Sequence, residues 1–119
     1  MKLVIVALCL AAATAASAAP VPENVAKAFG NTVVSTYPDG RTALLWLSPD
    51  GTYAAKGRHR TSSNGLWAIK GEKMCLRQRS PLALPFSFCT PLPSSTSWAA
   101  KAATGEPVTL RIVPGTNVP

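Results

Sequence analysis

The sequence is poor in the side chains that most enzyme mechanisms need. It holds one histidine, His59, and five carboxylates among 119 residues. The histidine lies between Arg58 and Arg60, with no acidic residue beside it to orient the ring. The carboxylates are not paired at spacings typical of glycosidase or metal sites, and Ser62-Ser63 has no adjacent base. We therefore expect a protein that is not an enzyme, with no catalytic residue, no metal site and no cofactor.

The first 18 residues have the pattern of a secretory signal peptide. Met1-Lys2 is a short positive start, residues 3–13 are apolar, and Ala16-Ser17-Ala18 fits the small-x-small cleavage rule. The alternative is a retained anchor, but the apolar run is shorter than the roughly 20 residues that span a bilayer. Cleavage after residue 18 of 119 leaves 101 residues and predicts a periplasmic or secreted protein without a stable membrane anchor.

Cysteine is scarce as well, and the sequence has no Cys-x-x-Cys motif. Of its three cysteines, Cys9 lies in the predicted signal peptide, so that Cys75 and Cys89 remain after cleavage. Two cysteines in an oxidising compartment normally pair. A redox pair or a metal site is the alternative, but no histidine lies near either cysteine in the sequence. The pattern therefore favours a structural disulfide.

Acidic residues are outnumbered, which restricts the class of partner. The chain has 12 Lys or Arg against 5 Asp or Glu, and only Lys2 is lost with the signal peptide. A basic exported protein can meet anionic lipid, polyanionic envelope polymers or acidic proteins. Nucleic acid is not expected, because no recognition motif is present. The alternative is that the positive charge serves solubility alone. The expected oligomeric state is a monomer.

Two copies of one turn motif set the fold class. Pro38-Asp39-Gly40 and Pro49-Asp50-Gly51 bracket an apolar run, and each residue of the motif favours a tight turn. Short strands with turn residues between them continue to the end of the chain. They are predicted at residues 31–37, 41–48, 52–57, 66–70, 73–79, 86–90, 98–103 and 108–113. This pattern predicts an all-β fold, an eight-stranded antiparallel meander that forms an up-and-down barrel or a rolled sheet.

Closure of such a barrel would pair the first strand with the last and remove exposed edges. Residues 22–30 read as a short helix that covers one end of the sheet. If Phe86 and Phe88 face the core, the alternation along the strands turns both cysteines outward together. We expect the interior to be filled by its own side chains, with no roomy cavity. The expected filling side chains are Trp46 or Leu47, Trp67, Phe86, Phe88 and Trp98.

The domain organisation predicted from these patterns is simple. The signal peptide covers residues 1–18, and a linker with the short helix covers residues 19–29. A single β-domain covers residues 30–113, and residues 114–119 form a loose tail.

One group of basic residues is a candidate surface for an anion or a partner. The run Lys-Gly-Arg-His-Arg precedes two strands whose outward positions are also basic, and neighbouring strands would bring these charges together. The alternative is that they are scattered, solvated positions. The candidate surface comprises Lys56, Arg58, His59, Arg60, Lys70, Lys73, Arg77 and Arg79.

Several short motifs together suggest a family. The chain has Gly-Asn-Thr at residues 30–32, Asp50-Gly51, Gly-x-Trp ending at Trp67, and then Cys75 and Cys89. This pattern resembles a family of small exported proteobacterial proteins to which no function is assigned. The resemblance covers most of the chain after the signal peptide and implies a β-rich fold, with no catalytic residues to transfer.

A second similarity concerns architecture alone. Exported bacterial inhibitors of lysozyme and of metalloproteases are also small eight-stranded barrels with one disulfide. The Ser-Gly-x-x-Tyr signature of the lysozyme inhibitors is missing from this chain. Two functional hypotheses therefore remain. The first is an envelope binding or inhibitor-like module with a protein or polyanion as its partner. The second is a small-ligand carrier, or an enzyme, with a site in the barrel mouth.

Overall fold

A computed structural model describes residues 21–93 and 95–117. The predicted signal peptide lies outside these residues, as do Ala19, Pro20, Ser94 and the last two residues of the predicted tail. Within the described ranges, no helix has the length and hydropathy that crossing a membrane would require.

The described chain forms one short helix and eight strands, so the predicted all-β class is confirmed. The helix α1 spans Glu23–Ala26. The strands are β1 Thr32–Thr36, β2 Thr42–Leu47, β3 Thr52–Lys56, β4 Ser62–Lys70, β5 Lys73–Ser80, β6 Phe88–Pro91, β7 Ser97–Lys101 and β8 Pro107–Val113.

The eight strands form a nearly closed antiparallel barrel. The hydrogen-bonded order is β6-β5-β4-β3-β2-β1-β8-β7, and β1 pairs with β8 as the sequence predicted. Between described residues no ladder joins β6 to β7, so the barrel has one opening along its wall. We call this opening the seam. The pairing of β1 with β8 covers the two strands that would be the edges of an open meander, while β6 and β7 remain as edge strands.

Because consecutive strands alternate in direction, their connections alternate between two ends of the barrel. The loop end carries the connections β1–β2, β3–β4, β5–β6 and β7–β8. The helix end carries α1 and the connections β2–β3, β4–β5 and β6–β7. Asn24 in α1 confirms this grouping, because its Nδ2 donates to Pro93 O in the β6–β7 connection at 3.3 Å.

The two Pro-Asp-Gly turns form as predicted. Asp39 Oδ1 accepts from the backbone N–H of Arg41 at 2.9 Å, and Asp50 Oδ1 accepts from that of Thr52 at 3.0 Å. Gly40 and Gly51 take positive φ values of 84° and 91°, which favour glycine. Hydrogen bonds from the Thr52 hydroxyl and backbone lower the pKa of Asp50. Both aspartates therefore serve the turns.

The barrel interior is packed at the helix end by aromatic and aliphatic side chains. Val25 and Ala28 are fully buried beneath the barrel, and Phe29 contacts Trp67 with ring centroids 5.8 Å apart. The Trp67 indole N–H donates to Ser48 O at 2.8 Å. Residues 22–30 thus close this end, as predicted, although the helix within them covers Glu23–Ala26 alone. The buried core cluster is Val25, Ala28, Val33, Leu47, Tyr53, Trp67, Met74, Trp98, Val108 and Leu110.

Two predictions are wrong, those for Phe86 and for the start of β4. Phe86 was expected in the core but is 62% exposed, because β6 begins at Phe88 and leaves Phe86 in the preceding loop. Of the two candidates on β2, Leu47 is buried in the core cluster, and the Trp46 indole N–H donates to Thr32 Oγ1. The fourth strand was predicted to start at residue 66, yet β4 starts at Ser62.

The early start of β4 depends on a bulge that the sequence pattern does not announce. The register between β4 and β5 shifts between Asn64 and Gly65. At Gly65 the strands approach so closely that an added Cβ would lie 2.0 Å from Arg77 O. Glycine is therefore required here for close backbone approach, and the strand continues through it.

The predicted disulfide is present. Cys75 and Cys89 lie directly opposite each other on β5 and β6, with a sulfur–sulfur distance of 2.02 Å. Met74 and Leu76, the neighbours of Cys75, face the interior, so both cysteines lie on the outward side of the wall. The bond fastens the short edge strand β6 to the rest of the sheet and indicates a non-reducing compartment.

Candidate binding site at the loop end and in the barrel interior

The predicted basic residues divide between the two ends of the barrel. Arg58, His59 and Arg60 lie in the β3–β4 connection at the loop end. Lys56 is the last residue of β3, and Arg77 and Arg79 lie on the half of β5 nearer that end. Lys70 and Lys73 oppose each other beside the β4–β5 turn, at the helix end. The structure thus brings six of the eight predicted residues to one end and leaves two at the other.

Charge is distributed unevenly between the ends. In the described chain, the loop end holds seven Lys or Arg and two carboxylates, whereas the helix end holds four Lys or Arg and three carboxylates. The cations of the loop end are Arg41, Lys56, Arg58, Arg60, Arg77, Arg79 and Lys101, and its acids are Asp39 and Glu106. Almost all of the net positive charge therefore lies at the loop end.

Arg58 is committed to contacts within the protein. Its guanidinium makes two hydrogen bonds to Glu106, at 2.8 Å and 3.1 Å, and its Nη1 lies 3.9 Å from Asp39 Oδ2. The guanidinium carbon lies 4.3 Å from the centroid of the Tyr37 ring. Since Glu106 belongs to the β7–β8 connection, this ion pair extends across the mouth of the barrel at the loop end.

Electrostatics reinforce this bridge. The hydrogen bond and charge of Glu106 raise the pKa of Arg58. Hydrogen bonds from the Thr104 hydroxyl and from Arg58 lower the pKa of Glu106. Both groups are therefore ionised at neutral pH, and Arg58 covers the mouth in place of offering a free cation. The sequence did not show this pair, because its members are 48 residues apart.

Arg41 was not among the predicted basic residues, although it is one of the cations of the loop end. Its Nη1 lies 3.0 Å from His59 Nδ1, and since guanidinium can only donate, the ring nitrogen accepts. The Arg41 side chain is largely exposed. The signal that could have found it is its place directly after the first Pro-Asp-Gly turn, because alternate turns of a meander share one end.

The β5–β6 loop, residues 81–87, presents exposed apolar side chains near Arg77 and Arg79 of β5. Leu82 and Phe86 are 65% and 62% exposed. The loop is fastened to β5, because Arg77 Nε donates to Leu84 O at 3.2 Å and Gln78 Nε2 donates to Leu82 O at 3.0 Å. A surface groove runs between this loop and the hairpin of β4 and β5. Side-chain hydrogen bonds from β5 thus hold the backbone of the loop that carries Leu82 and Phe86.

The interior contains a cavity that the sequence analysis did not expect. Its volume is about 200 Å³, and its wall is mostly apolar. Alanines occupy several inward positions towards the loop end, among them Ala43, Ala55 and Ala100, where larger side chains would have filled the space. Trp98 also lines the cavity. Its indole Nε1 is buried without a hydrogen-bond partner among the described residues.

Metal ligands are not clustered in the described part of the chain. No group of three or more His, Cys, Asp or Glu side chains there could hold a metal ion.

Comparison with known proteins identifies no relative of this chain. The chain matches no family model, and neither a curated protein nor a solved structure is significantly similar to it. The resemblance to a family of small exported proteins therefore stays a prediction.

Proposed function

We propose that this protein is an exported, monomeric binding module without catalytic activity, whose loop end contacts an acidic protein partner. The single observation that carries the proposal is that exposed arginines and exposed apolar side chains lie at the same end of the barrel. Arg60, Arg77 and Arg79 form no ion pair with a carboxylate of the described residues. Leu82 and Phe86 lie exposed on the adjoining loop.

The chemistry of these side chains favours a protein over a polymer. Five of the seven cations at the loop end are arginines, whose planar guanidinium matches a carboxylate in two hydrogen bonds. Arginine and aromatic residues are enriched in protein interfaces, where lysine is depleted. A hydrophilic polyanion offers no complement to Leu82 and Phe86, whereas an acidic protein surface with an apolar pocket does.

Export to the periplasm or the cell exterior is part of the proposal. Two observations support it: the signal-peptide pattern of residues 1–18 and the Cys75–Cys89 disulfide. In such a compartment a basic module meets acidic proteins without competition from nucleic acid.

The test uses two charge-reversal variants with the same change in net charge. Arg41→Glu/Arg79→Glu alters the loop end, and Lys70→Glu/Lys73→Glu alters the helix end. All four side chains are exposed, and Arg79 and Lys73 share the outward face of β5. Binding to polyglutamate, a model acidic polypeptide, is measured by titration at several salt concentrations. We expect the loop-end variant to bind about tenfold or more weakly, and the helix-end variant to change little.

A third variant, Leu82→Ser/Phe86→Ser, tests for an apolar anchor. We expect it to bind polyglutamate normally but to lose the proteins that the wild type retains from periplasmic and secreted fractions. Equal weakening by both charge variants would overturn the loop-end site. Tighter binding to anionic lipid vesicles or sulfated resin than to acidic protein, with no effect of the third variant, would overturn the protein partner.

A further inference from the structure

The cavity inside the barrel is large for a domain of this size. Native interiors are packed about as densely as organic crystals, with few voids larger than a water molecule. A cavity of about 200 Å³ is comparable with apolar cavities of about 150 Å³ that bind benzene. Its volume therefore suits a molecule of one ring with a short substituent.

One polar group in the wall has no hydrogen-bond partner among the described residues. Trp98 is only 8% exposed, and its indole N–H has no acceptor among the described residues. The other two tryptophans differ, because Trp46 donates to Thr32 Oγ1 at 2.9 Å and Trp67 donates to Ser48 O at 2.8 Å. Buried indole N–H groups usually find an acceptor. An acceptor oxygen on a molecule in the cavity would supply the one that is missing.

The seam provides the access route. Phe88 and Thr90 on β6 and Trp98 and Ala100 on β7 line the cavity, and these two strands border the seam. The mouth at the loop end is covered by the Arg58–Glu106 pair. Because the disulfide holds β6 on β5, we expect β7 to be the strand that moves when the seam widens.

We propose that the barrel interior binds one small, neutral, mostly apolar molecule whose carbonyl oxygen accepts a hydrogen bond from Trp98 Nε1 and which enters through the seam. The ligand is expected to be neutral because the cavity wall is mostly apolar. Among the described residues that line the cavity, the only charged one is Lys101, whose side chain is exposed at the surface. A buried carboxylate would therefore lack an interior partner and lose its hydration. This inference is independent of the partner proposed for the loop end.

The test uses two probes of nearly equal shape. Acetophenone carries a carbonyl, and α-methylstyrene replaces its oxygen with a methylene group. The indole N–H signals of the ¹⁵N-labelled protein are followed by NMR, and Trp98→Phe assigns the signal of Trp98. We expect acetophenone to bind about tenfold more tightly, as one hydrogen bond predicts, and to shift the Trp98 signal. α-Methylstyrene should leave that signal nearly in place.

Two variants control the interpretation. Ala100→Leu should abolish binding of both probes by filling the cavity, while Trp98→Phe should retain α-methylstyrene and lose the preference for acetophenone. If Ala100→Leu fails to fold, Ala55→Leu fills the cavity from β3, away from the seam. No saturable binding of either probe, equal affinities for both, or tightest binding of benzoate would each overturn the proposed ligand class.

The access route has its own readout. Glu106→Gln weakens the cover over the mouth without touching the seam. We expect it to leave the association rate of acetophenone unchanged, whereas an increase of several fold would show that the ligand enters through the mouth.

Discussion

At the scale of single residues, Arg58 shows that neighbours in sequence can have different tasks. Arg58 was predicted as part of one basic surface together with His59 and Arg60. In the structure it bonds Glu106 and covers Tyr37, while Arg60 keeps an exposed side chain. The difference arises from a partner 48 residues away, which no local pattern reveals. Local sequence therefore identified the cations of the turn without showing which of them are free.

The Arg58–Glu106 bridge predicts a specific pH dependence of stability. The folded pKa of Glu106 is lowered from its usual value of 4.5, so its contribution is present above that value. It is lost as the pH falls through the lowered folded pKa. We expect the wild type to exceed Glu106→Gln in free energy of unfolding at pH 6, and the difference to shrink towards pH 3. Urea denaturation at both pH values measures it. An equal difference at both would contradict the bridge.

Gly65 predicts a large effect from a small substitution. A Cβ at this position would lie 2.0 Å from Arg77 O, so Gly65→Ala must push β4 and β5 apart at the bulge. We expect a loss of about 1–3 kcal/mol or more in the free energy of unfolding. Gly57→Ala is the matched control, because its Cβ would meet Thr61 O at an ordinary 3.8 Å. Similar losses for both variants would show that the close approach at Gly65 is absent.

At the scale of elements, turns were predictable and strand limits were less so. The Pro-Asp-Gly motifs carry their own hydrogen bonds and backbone preferences, so both turns formed as predicted. The start of β4 was missed because the bulge at Gly65 depends on its partner strand. Phe86 was misplaced because alternation predicts a face only once a strand exists, and β6 starts two residues later. The seam and the cavity were not predicted for a similar reason, since both depend on where β6 and β7 end.

The disulfide predicts how the edge strand β6 behaves. Cys75→Ala/Cys89→Ala removes a bond that closes a loop with a separation of 14 residues, which is worth about 3 kcal/mol in the chain-entropy model. Since β5 is the one strand of the described chain that pairs with β6, we expect the amides of β6 to lose protection first. Hydrogen exchange followed by mass spectrometry should show faster exchange at Phe88–Pro91 than in β2. Uniform loss of protection across the barrel would contradict this local role.

At the scale of the whole molecule, the barrel separates basic from acidic side chains, which are mixed along the sequence. Alternating strand directions bring seven Lys or Arg, from two connections and from neighbouring strands, to the loop end, while α1 and the other three carboxylates of the described chain lie at the helix end. The sequence predicted a basic protein, but only the topology shows that its charge is polarised. Electrostatic steering by such an end would orient the module towards an acidic partner before contact.

The most direct test of this account maps an acidic ligand onto the barrel. Polyglutamate is titrated into the ¹⁵N-labelled protein, and the shifts of backbone amides are compared between the two ends. We expect the largest shifts in the β1–β2 and β3–β4 turns and in the β5–β6 loop, with small shifts beside Lys70 and Lys73. Added salt should reduce these shifts together. Shifts of equal size at both ends, or larger ones at the helix end, would contradict the proposed site.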